Sequence, residues 1–509
     1  MRKVVTLDIH KTYFTVKIRG THMYEILYGI TRFLKSKKYV YNRIIKRMVV
    51  EDDKSYFSFD HSTKTYRFTI GVLKDVLGTF GNRGIKREEV LVHRTINKNV
   101  RPLNLEFKED DFTLRDYQQT YSDILVNDGR AKSILLVDLA TGYGKSLIAA
   151  HALTRIDEVT MILVLPKYVE KWRDDLYKYT NIKPFQICYI KGADSIKELM
   201  NTKREHIYYK VFIASITTMN YMISEFEKNA EYTYPMSPDL FMDHLGVGVL
   251  LNDETHQHFH ALLKVSLYMN VNQIIGLSAT LDSNRNEMKR LYSYMFPSNH
   301  RISNIAKIER YTYVKAIEYN ISTLKGIRYT TNQGYSHIAY EQSIMCSRRF
   351  LESYFKMIAF YVERDYIKRK QDGERLLIFM STVAMCTAFT NYLKDLYPSL
   401  DIRRYVEDDP YENVINAEIS ISTVISASTA IDIPKLITVI NTISMASLQA
   451  NLQSMGRLRK IEGRDVWYIY MYCPHIPNQK NMHKIRRDTI REKAKLIVYD
   501  EYPITLLTR

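Results

Sequence analysis

The residue types best suited to chemistry lie in a glycine-rich stretch that follows an apolar run, residues 134–137. The stretch consists of Leu139, Ala140, Thr141, Gly142, Tyr143, Gly144, Lys145 and Ser146, and a helical apolar pattern begins at Leu147. Glycines let backbone N–H groups converge on an anion, and a helix N-terminus carries partial positive charge. The pattern predicts a phosphate-binding loop in which Lys145 reaches the β and γ phosphates and Ser146 binds Mg²⁺.

Leu139 departs from the full eight-residue phosphate-loop pattern, because it stands where that pattern has its first glycine. The alternative is a tight loop with an exposed lysine. The apolar run on one side and the helical pattern on the other favour a nucleotide site.

A second candidate site follows the apolar run 249–251, where Asn252, Asp253, Glu254, Thr255 and His256 stand in sequence. Ligands collect at the carboxyl ends of strands in parallel sheets. Asp253 is therefore expected to hold Mg²⁺, and Glu254 to orient or deprotonate a water that attacks the γ phosphorus of a nucleotide. Two adjacent carboxylates are commonly a solvated turn, but their order after the glycine loop favours the catalytic interpretation.

Over residues 112–500 the order of short motifs resembles that of superfamily 2 helicases of the DExH type. The family uses a shortened glycine loop like residues 141–146, and residues 114–118 are similar to its adenine-contacting segment, which implies Gln118 on the base. Ser278 and Thr280 match the motif that couples hydrolysis to domain movement. The matching strand-contacting residues are Lys167, Thr217 and Thr218 in the first domain and Thr382 and Thr423 in the second.

Residues 453–460 resemble the arginine-finger segment of the same family, but with a departure. The family has arginines one and four residues after its glycine, whereas here these positions are Arg457 and Lys460, with Arg459 between them. Lysine lacks the planar fork of arginine, so either Arg457 or Arg459 could be the finger. A solvated basic helix face is the alternative. The candidate catalytic set is Lys145, Asp253, Glu254, His256, Gln453, Arg457, Arg459 and Lys460.

Two sets of short buried runs predict the elements that must position these residues. The first set is 134–137, 161–165, 211–214, 247–251 and 274–277, and the second is 376–380, 419–423, 436–440 and 466–471. Such runs alternating with amphipathic segments are typical of parallel sheets wrapped by helices. We expect an α/β chain with two tandem RecA-like domains, at 106–310 and 311–509, the second ending in a basic helix at 482–496.

Residues 1–105 form a third predicted region, a small basic α+β domain. They hold 22 Lys or Arg and 9 Asp or Glu, which is +13 of the +17 net charge of the whole chain. Such a concentration of positive charge suits a polyanion. The candidate phosphate contacts are Lys35, Lys37, Lys38, Arg43, Lys46 and Arg47. Interleaved aromatic residues such as Phe33 could stack on bases, although core packing is the commoner role.

The expected activity is that of an ATP- and Mg²⁺-dependent DNA helicase or translocase. The small basic region ahead of the motor is similar to phage recombination helicases of the UvsW type, which implies remodelling of forked or branched DNA by a monomer. An RNA helicase or transcription-release factor remains an alternative, as does a non-catalytic nucleic-acid clamp. Four widely spaced cysteines and no apolar run of about 18 residues favour a cytoplasmic protein, in host cytoplasm if viral, with no membrane association.

Overall fold

The computed structural model divides the chain into two compact units, Met1–Ala306 and Lys307–Arg509. It describes residues 4–508 except 20–22, 43–46, 61–62, 98, 140–141, 203–207, 229–231, 280, 282–285, 304, 306–308, 333, 407–408 and 428–431. The side chains of residues 23–24, 39, 41–42, 47–48, 425, 427 and 448–449 are not described either. In the described part, no helix is long and apolar enough to cross a bilayer.

The N-terminal part of the first unit contains a five-stranded sheet, two helices and a separate hairpin. Its elements are β1 (Val5–Ile9), β2 (Tyr13–Ile18), α1 (Met23–Phe33), β3 (Lys35–Asn42), β4 (Arg47–Ser55), β5 (Ser58–Asp60), β6 (Thr65–Thr69), α2 (Leu73–Asn82) and β7 (Val90–Arg94). The sheet order is β5-β6-β2-β1-β7, and β3 pairs with β4 alone. The predicted α+β character is confirmed.

The first α/β domain follows with a seven-stranded, all-parallel sheet. Its elements are α3 (Asp116–Lys132), β8 (Ile134–Asp138), α4 (Lys145–Ile156), β9 (Thr160–Val164), α5 (Val169–Tyr179), β10 (Ile187–Ile190), α6 (Ala193–Asn201), β11 (Val211–Ser215), α7 (Ile216–Lys228), α8 (Pro238–Leu245), β12 (Val249–Asn252), α9 (Phe259–Ser266), β13 (Gln273–Ser278), α10 (Asn286–Met295) and β14 (Arg301–Ile302). The order is β10-β11-β9-β12-β13-β8-β14. The central strands are buried, as expected for a parallel sheet covered on both faces.

The N-terminal part shares its hydrophobic core with this α/β domain. The small basic domain predicted at residues 1–105 therefore has its own sheet but not its own core. One apolar cluster runs from the N-terminal strands into the helices that cover the seven-stranded sheet. Polar contacts join the same two parts: Thr12 Oγ1 donates to the carbonyl of Met269 at 3.3 Å, and Lys264 Nζ donates to that of Phe57 at 2.8 Å. The two parts therefore pack as one body.

The second unit repeats the parallel architecture. Its elements are β15 (Thr312–Glu318), β16 (Thr330–Thr331), β17 (Gly334–Tyr335), α11 (His337–Met345), α12 (Arg348–Val362), β18 (Arg375–Met380), α13 (Val383–Leu396), β19 (Ile402–Tyr405), α14 (Glu412–Asn416), β20 (Ile419–Thr423), α15 (Val424–Ala427), β21 (Leu436–Asn441), α16 (Leu448–Met455), β22 (Val466–Tyr472), α17 (Pro477–Ile490) and β23 (Ala494–Glu501). The parallel sheet has the order β19-β20-β18-β21-β22-β15-β23.

These two sheets confirm the predicted class, an α/β chain with two tandem RecA-like domains and a small α+β N-terminal part. All nine predicted runs overlap a strand. The helix expected at 482–496 is present, but the expectation was wrong in its last part: the helix ends at Ile490, and Ala494–Glu501 is a strand that pairs with β15. Ile497, Val498 and Tyr499 explain this difference, because β-branched and aromatic residues favour strands.

The packing of the N-terminal part on α10 can be tested at Gly71. A Cβ at this position would lie 1.7 Å from the carbonyl oxygen of Tyr294 in α10, whereas one at Gly78 in α2 would have no heavy atom within 4 Å. Gly71→Ala should lower stability by about 1–3 kcal/mol through overpacking, and Gly78→Ala should be neutral or stabilising by up to ~1 kcal/mol. Calorimetric melting of both variants measures this, and equal melting temperatures would contradict the packing.

Candidate active site

The glycine loop joins β8 to α4, and its two described glycines adopt left-handed backbone conformations. Gly142 has φ of 89° and Gly144 φ of 86°, a region that residues with a Cβ avoid. Helix α4 begins at Lys145, directly after Gly144, so the N–H groups of its first turn lie at the loop. Ala140 and Thr141 fall outside the described residues, and the nucleotide contact of Thr141 stays a prediction.

The start of α3 supports this loop through side chains. Tyr117 Oη and Gln118 Nε2 donate to the carbonyl of Tyr143 at 3.1 and 3.2 Å, while Gln118 Oε1 accepts from the Arg115 amide at 3.0 Å. A Cβ at Gly144 would lie 2.5 Å from Gln118 Nε2, so a side chain at this position would displace the Gln118 amide. Gln118 therefore holds the loop in this structure, and its contact with adenine stays a prediction.

The acidic motif lies beside the loop because β8, β13, β12 and β9 are neighbours whose carboxyl ends share one edge of the sheet. Lys145 Nζ lies 3.7 Å from Glu254 Oε1, and these side chains are only 10% and 12% exposed. Glu254 has φ of 50°, an unfavourable conformation for a residue other than glycine that the surrounding fold must maintain. The two charges predicted to act on a nucleotide are thus already paired.

A row of side chains continues from Glu254 to the neighbouring strand. His256 Nδ1 lies 3.5 Å from Glu254 Oε2 and 2.9 Å from Ser278 Oγ at the end of β13. Burial, assisted by the charge of Lys145, lowers the pKa of His256 to about 3, so this ring is neutral at physiological pH. The predicted catalytic His256 and the predicted coupling residue Ser278 are therefore in contact, while Thr280 lies outside the described residues.

Asp253 is held by α5, an element that sequence motifs did not connect with it. Trp172 Nε1 donates to Asp253 Oδ2 at 2.9 Å. Lys171 Nζ lies 3.9 Å from the same oxygen and donates to Ser146 Oγ at 3.2 Å. Burial acts to lower the pKa of Lys171, but the carboxylates of Asp253 and Asp175 outweigh it and raise that pKa. Lys171 is therefore a charged ammonium group in this cluster.

The two residues predicted to bind Mg²⁺ fit that ion. Mg²⁺ prefers oxygen ligands and is usually held by one or two carboxylates together with waters and phosphates. Ser146 Oγ and the Asp253 carboxylate converge on one cationic group, the Lys171 ammonium, so this position already favours positive charge. Among the described residues, no group of three or more His, Cys, Asp or Glu could hold a metal ion.

The predicted strand-contacting residues of the first domain follow β9 and β11, next to the acidic motif. Thr217 Oγ1 is hydrogen-bonded to Ser215 Oγ at 2.8 Å, and Thr218 Oγ1 accepts from the Gly192 amide at 3.1 Å. Lys167 Nζ lies 5.1 Å from the ring centroid of Tyr168. These threonine hydroxyls shape the loops, and their contact with nucleic acid stays a prediction.

A cleft of about 800 Å³ lies between the β3–β4 hairpin and the first α/β domain. Lys37 and Lys54 line it from the hairpin, while Thr217, Tyr221 and His256 line it from the α/β domain. The N-terminal part and the acidic motif thus border one space, which sequence motifs did not predict.

The other basic residues predicted in the N-terminal part differ in their surroundings. Lys35 Nζ lies 2.8 Å from Asp52 Oδ2, and Lys38 Nζ lies 4.0 Å from Asp53 Oδ1. These pairs are exposed and therefore weak, but they offset part of the positive charge of the hairpin. The described structure does not include Arg43, Lys46 or the side chain of Arg47.

In the second unit, Ser381 and Thr382 are fixed from behind by a buried carboxyl group. The Ser381 amide donates to Glu341 Oε1 at 2.6 Å, and Thr382 Oγ1 donates to Glu341 Oε2 at 2.9 Å. Thr382 Oγ1 also accepts from the Met385 amide and caps α13. Glu341 on α11 is fully buried, and burial raises its pKa to about 7 against the effect of these hydrogen bonds.

Thr423, the other predicted strand contact of this unit, has a similar local role at the end of β20. Its Oγ1 accepts from the Ser426 amide at 3.2 Å and is hydrogen-bonded to Ser426 Oγ at 2.8 Å. The hydroxyl thus fixes the turn into α15, and its contact with nucleic acid stays a prediction.

The predicted finger segment, residues 453–460, begins in the last turn of α16, and this helix is held by buried hydrogen bonds. Ser454 Oγ is hydrogen-bonded to Tyr468 Oη at 3.0 Å, and Asn451 Oδ1 accepts from Arg486 Nε of α17 at 2.6 Å. Gln453 is buried on the same helix. Arg486, which no motif singled out, is thus a buried support of the segment.

The three candidate finger residues have different environments within the second unit. Arg457 is 2% exposed. Arg459 donates to the Gly456 carbonyl and lies 3.4 Å from Asp432 Oδ1, and Lys460 Nζ lies 2.5 Å from Glu309 in an exposed pair. Arg457 and Arg459 both stay candidates for the finger.

Comparison with known protein families gives a match within the first α/β domain. Residues 111–283 match the family described as "Type III restriction enzyme, res subunit", a segment that contains the glycine loop and the acidic motif. The matched segment is about a third of the chain. A comparison with curated proteins gave no significant match.

Solved structures with similar folds include the crystal structure of T4 UvsW, at 15% identity and a TM-score of 0.36 over 100% of both chains. Another is a variant of S. cerevisiae Dbp5 bound to Gle1 and IP6, at 11% identity and a TM-score of 0.47 over 79% of this chain and 96% of that one. At these values neither structure informs the chemistry of this chain.

The buried Glu341 carboxyl predicts a pH-dependent stability. Because its pKa is about 7 in the folded protein and about 4.3 in an unfolded chain, its contribution is complete below about pH 4.3 and is lost as the pH rises to about 7. In urea unfolding, Glu341→Gln should lack that loss, which amounts to ~4 kcal/mol at most. Glu352→Gln, at an exposed site of α12, should keep the wild-type pH dependence; parallel behaviour of the two variants would contradict the prediction.

Proposed function

We propose that this chain is an ATP-dependent DNA helicase or translocase that remodels forked or branched DNA. The observation that carries the proposal is the pairing of Lys145 with Glu254 at the end of β12, beside a glycine loop that opens α4. The match of residues 111–283 to a helicase-type family supports it. The tandem RecA-like domains supply the two bodies that such a motor uses.

Each residue has a specific part in the proposed reaction. The amides of the loop and the first turn of α4 bind phosphate oxygens, and the Lys145 ammonium neutralises their charge. Ser146 and Asp253 would hold Mg²⁺, which would supply charge neutralisation at the phosphates. Glu254 positions the attacking water and accepts its proton, and this requires that Lys145 move from the carboxylate toward the phosphates.

His256 and Ser278 form the proposed coupling route. A neutral imidazole donates a hydrogen bond to a carboxylate or a hydroxyl through one nitrogen only. The hydrogen bond that His256 donates therefore depends on the charge and the position of Glu254. Ser278 is the last residue of β13, and its Oγ lies 2.9 Å from His256 Nδ1, so a change in the His256 ring reaches this strand. The finger role of Arg457 or Arg459 completes the proposal and comes from the family resemblance.

The nucleic-acid strand is proposed to pass the loops after β9 and β11 and to enter the cleft under the hairpin. Lys37 and Lys54 are exposed there and suit phosphate contacts, while the exposed ring of Tyr221, 59% accessible, suits stacking on an unpaired base. Such contacts do not read base sequence, in agreement with a substrate recognised by its branched shape.

Polymer-stimulated ATP hydrolysis tests the proposed function. We expect wild-type hydrolysis to rise with single-stranded DNA and further with forked DNA, and Lys145→Ala to abolish it because the phosphates lose their counter-charge. Lys178→Ala, an exposed change on α5, should retain the wild-type rate. Stimulation by RNA alone would favour an RNA helicase, and full activity of Lys145→Ala would reject the site.

The proposed path through the cleft predicts a change in salt dependence. Replacing Lys37 and Lys54 together by Gln should weaken binding to single-stranded DNA and reduce the slope of log affinity against log salt by about 1.4. Replacing Lys17 and Lys74, exposed lysines of the same N-terminal part that do not line the cleft, should leave the slope closer to wild type. Equal slopes for the two double variants would exclude the path.

A further inference from the structure

Lys171 is a cation that lies among the oxygen atoms expected to bind the metal. Its Nζ is 3.2 Å from Ser146 Oγ, 3.5 Å from Asp175 Oδ2 and 3.9 Å from Asp253 Oδ2. Ser146 lies in the glycine loop and Asp253 at the end of β12. Asp175 and Asp253 are the two carboxylates that contact the ammonium group. Helix α5 thus brings an ammonium group to the place where the other two elements converge.

The carboxylate of Asp253 has a physical need for such a partner. It is 6% exposed, and its remaining strong contact on Oδ2 is the neutral indole of Trp172. A desolvated carboxylate without a nearby cation is costly. Lys145 does not meet this need, because its ammonium is paired with Glu254. Each carboxylate of the motif therefore has its own lysine.

We propose that Lys171 stands in for Mg²⁺ when no nucleotide is bound and is displaced when the metal enters, so that it sets the divalent-ion concentration at which the site loads. This inference rests on the proposed function for the identity of the metal ligands. Two cations at these oxygens repel each other, so the entry of the metal favours the departure of the ammonium group. The flexible four-carbon stem of lysine allows the ammonium group to move away from these oxygens. The side chain is 36% exposed, so the displaced ammonium group can be solvated by water.

The competing explanation is that Lys171 binds phosphate directly. The two explanations predict different effects on metal affinity when the charge of Lys171 is removed. If Lys171 competes with the metal, removal of its charge strengthens metal binding in the absence of nucleotide. If Lys171 binds phosphate, its removal weakens nucleotide binding and leaves metal binding without nucleotide unchanged. Metal affinity measured alone separates them.

The experiment is a titration of the nucleotide-free full chain with Mn²⁺, followed by electron paramagnetic resonance. Lys171→Met should bind Mn²⁺ about tenfold more tightly than wild type, because the competing charge is gone. Lys171→Gln, which can still donate to Ser146, should show the same direction and guards against a folding defect. Lys171→Arg, which keeps the charge, should stay near wild type, as should the control Lys178→Met on the same helix.

Equal Mn²⁺ affinity in wild type, Lys171→Met and Lys171→Gln would overturn the inference, as would weaker binding in both variants. The titration contains neither nucleotide nor nucleic acid. A wild-type chain that binds Mn²⁺ as expected but hydrolyses no ATP would therefore reject the proposed function without affecting the displacement of Lys171.

Discussion

The structure of the site depends on the pairing of two lysines with two carboxylates at the carboxyl end of one buried strand. Lys145 pairs with Glu254 and Lys171 with Asp253. Lys171 comes from the helix after β9, which is next to β12, and Lys145 from the helix after β8, which is separated from β12 by β13. Carboxylates this shielded from water need nearby positive charge. The parallel sheet supplies it because all its strands end at the same edge, where their following helices begin.

The predicted contact loops are held by hydrogen bonds from buried or supporting side chains rather than by ion pairs. In the second unit, the buried Glu341 carboxyl binds Ser381 and Thr382 from behind, and in the first unit Gln118 supports the glycine loop. Side chains predicted to touch ligands are thus fixed by others that do not. A loop preorganised in this way loses little conformational entropy when it binds an anion.

Local motifs in the sequence predicted the glycine loop, the acidic pair and nine strands, because each depends on residues adjacent in the chain. Contacts between distant segments could not be predicted. Lys171 lies in an amphipathic helix with no motif of its own, and Glu341 reaches Thr382 across 41 residues. The basic helix expected at the C-terminus was wrong in its last part, because β-sheet pairing with β15 took Ala494–Glu501. The shared core of the N-terminal part likewise has no local signal.

The most direct test of the central claim is a crystal structure of the chain with Mg²⁺ and a non-hydrolysable ATP analogue. In that structure we expect the triphosphate to lie against the first turn of α4, Lys145 to leave Glu254 for the phosphates, and the metal to bind Ser146. Nucleotide bound elsewhere, with the pair between Lys145 and Glu254 intact at saturating analogue, would contradict it.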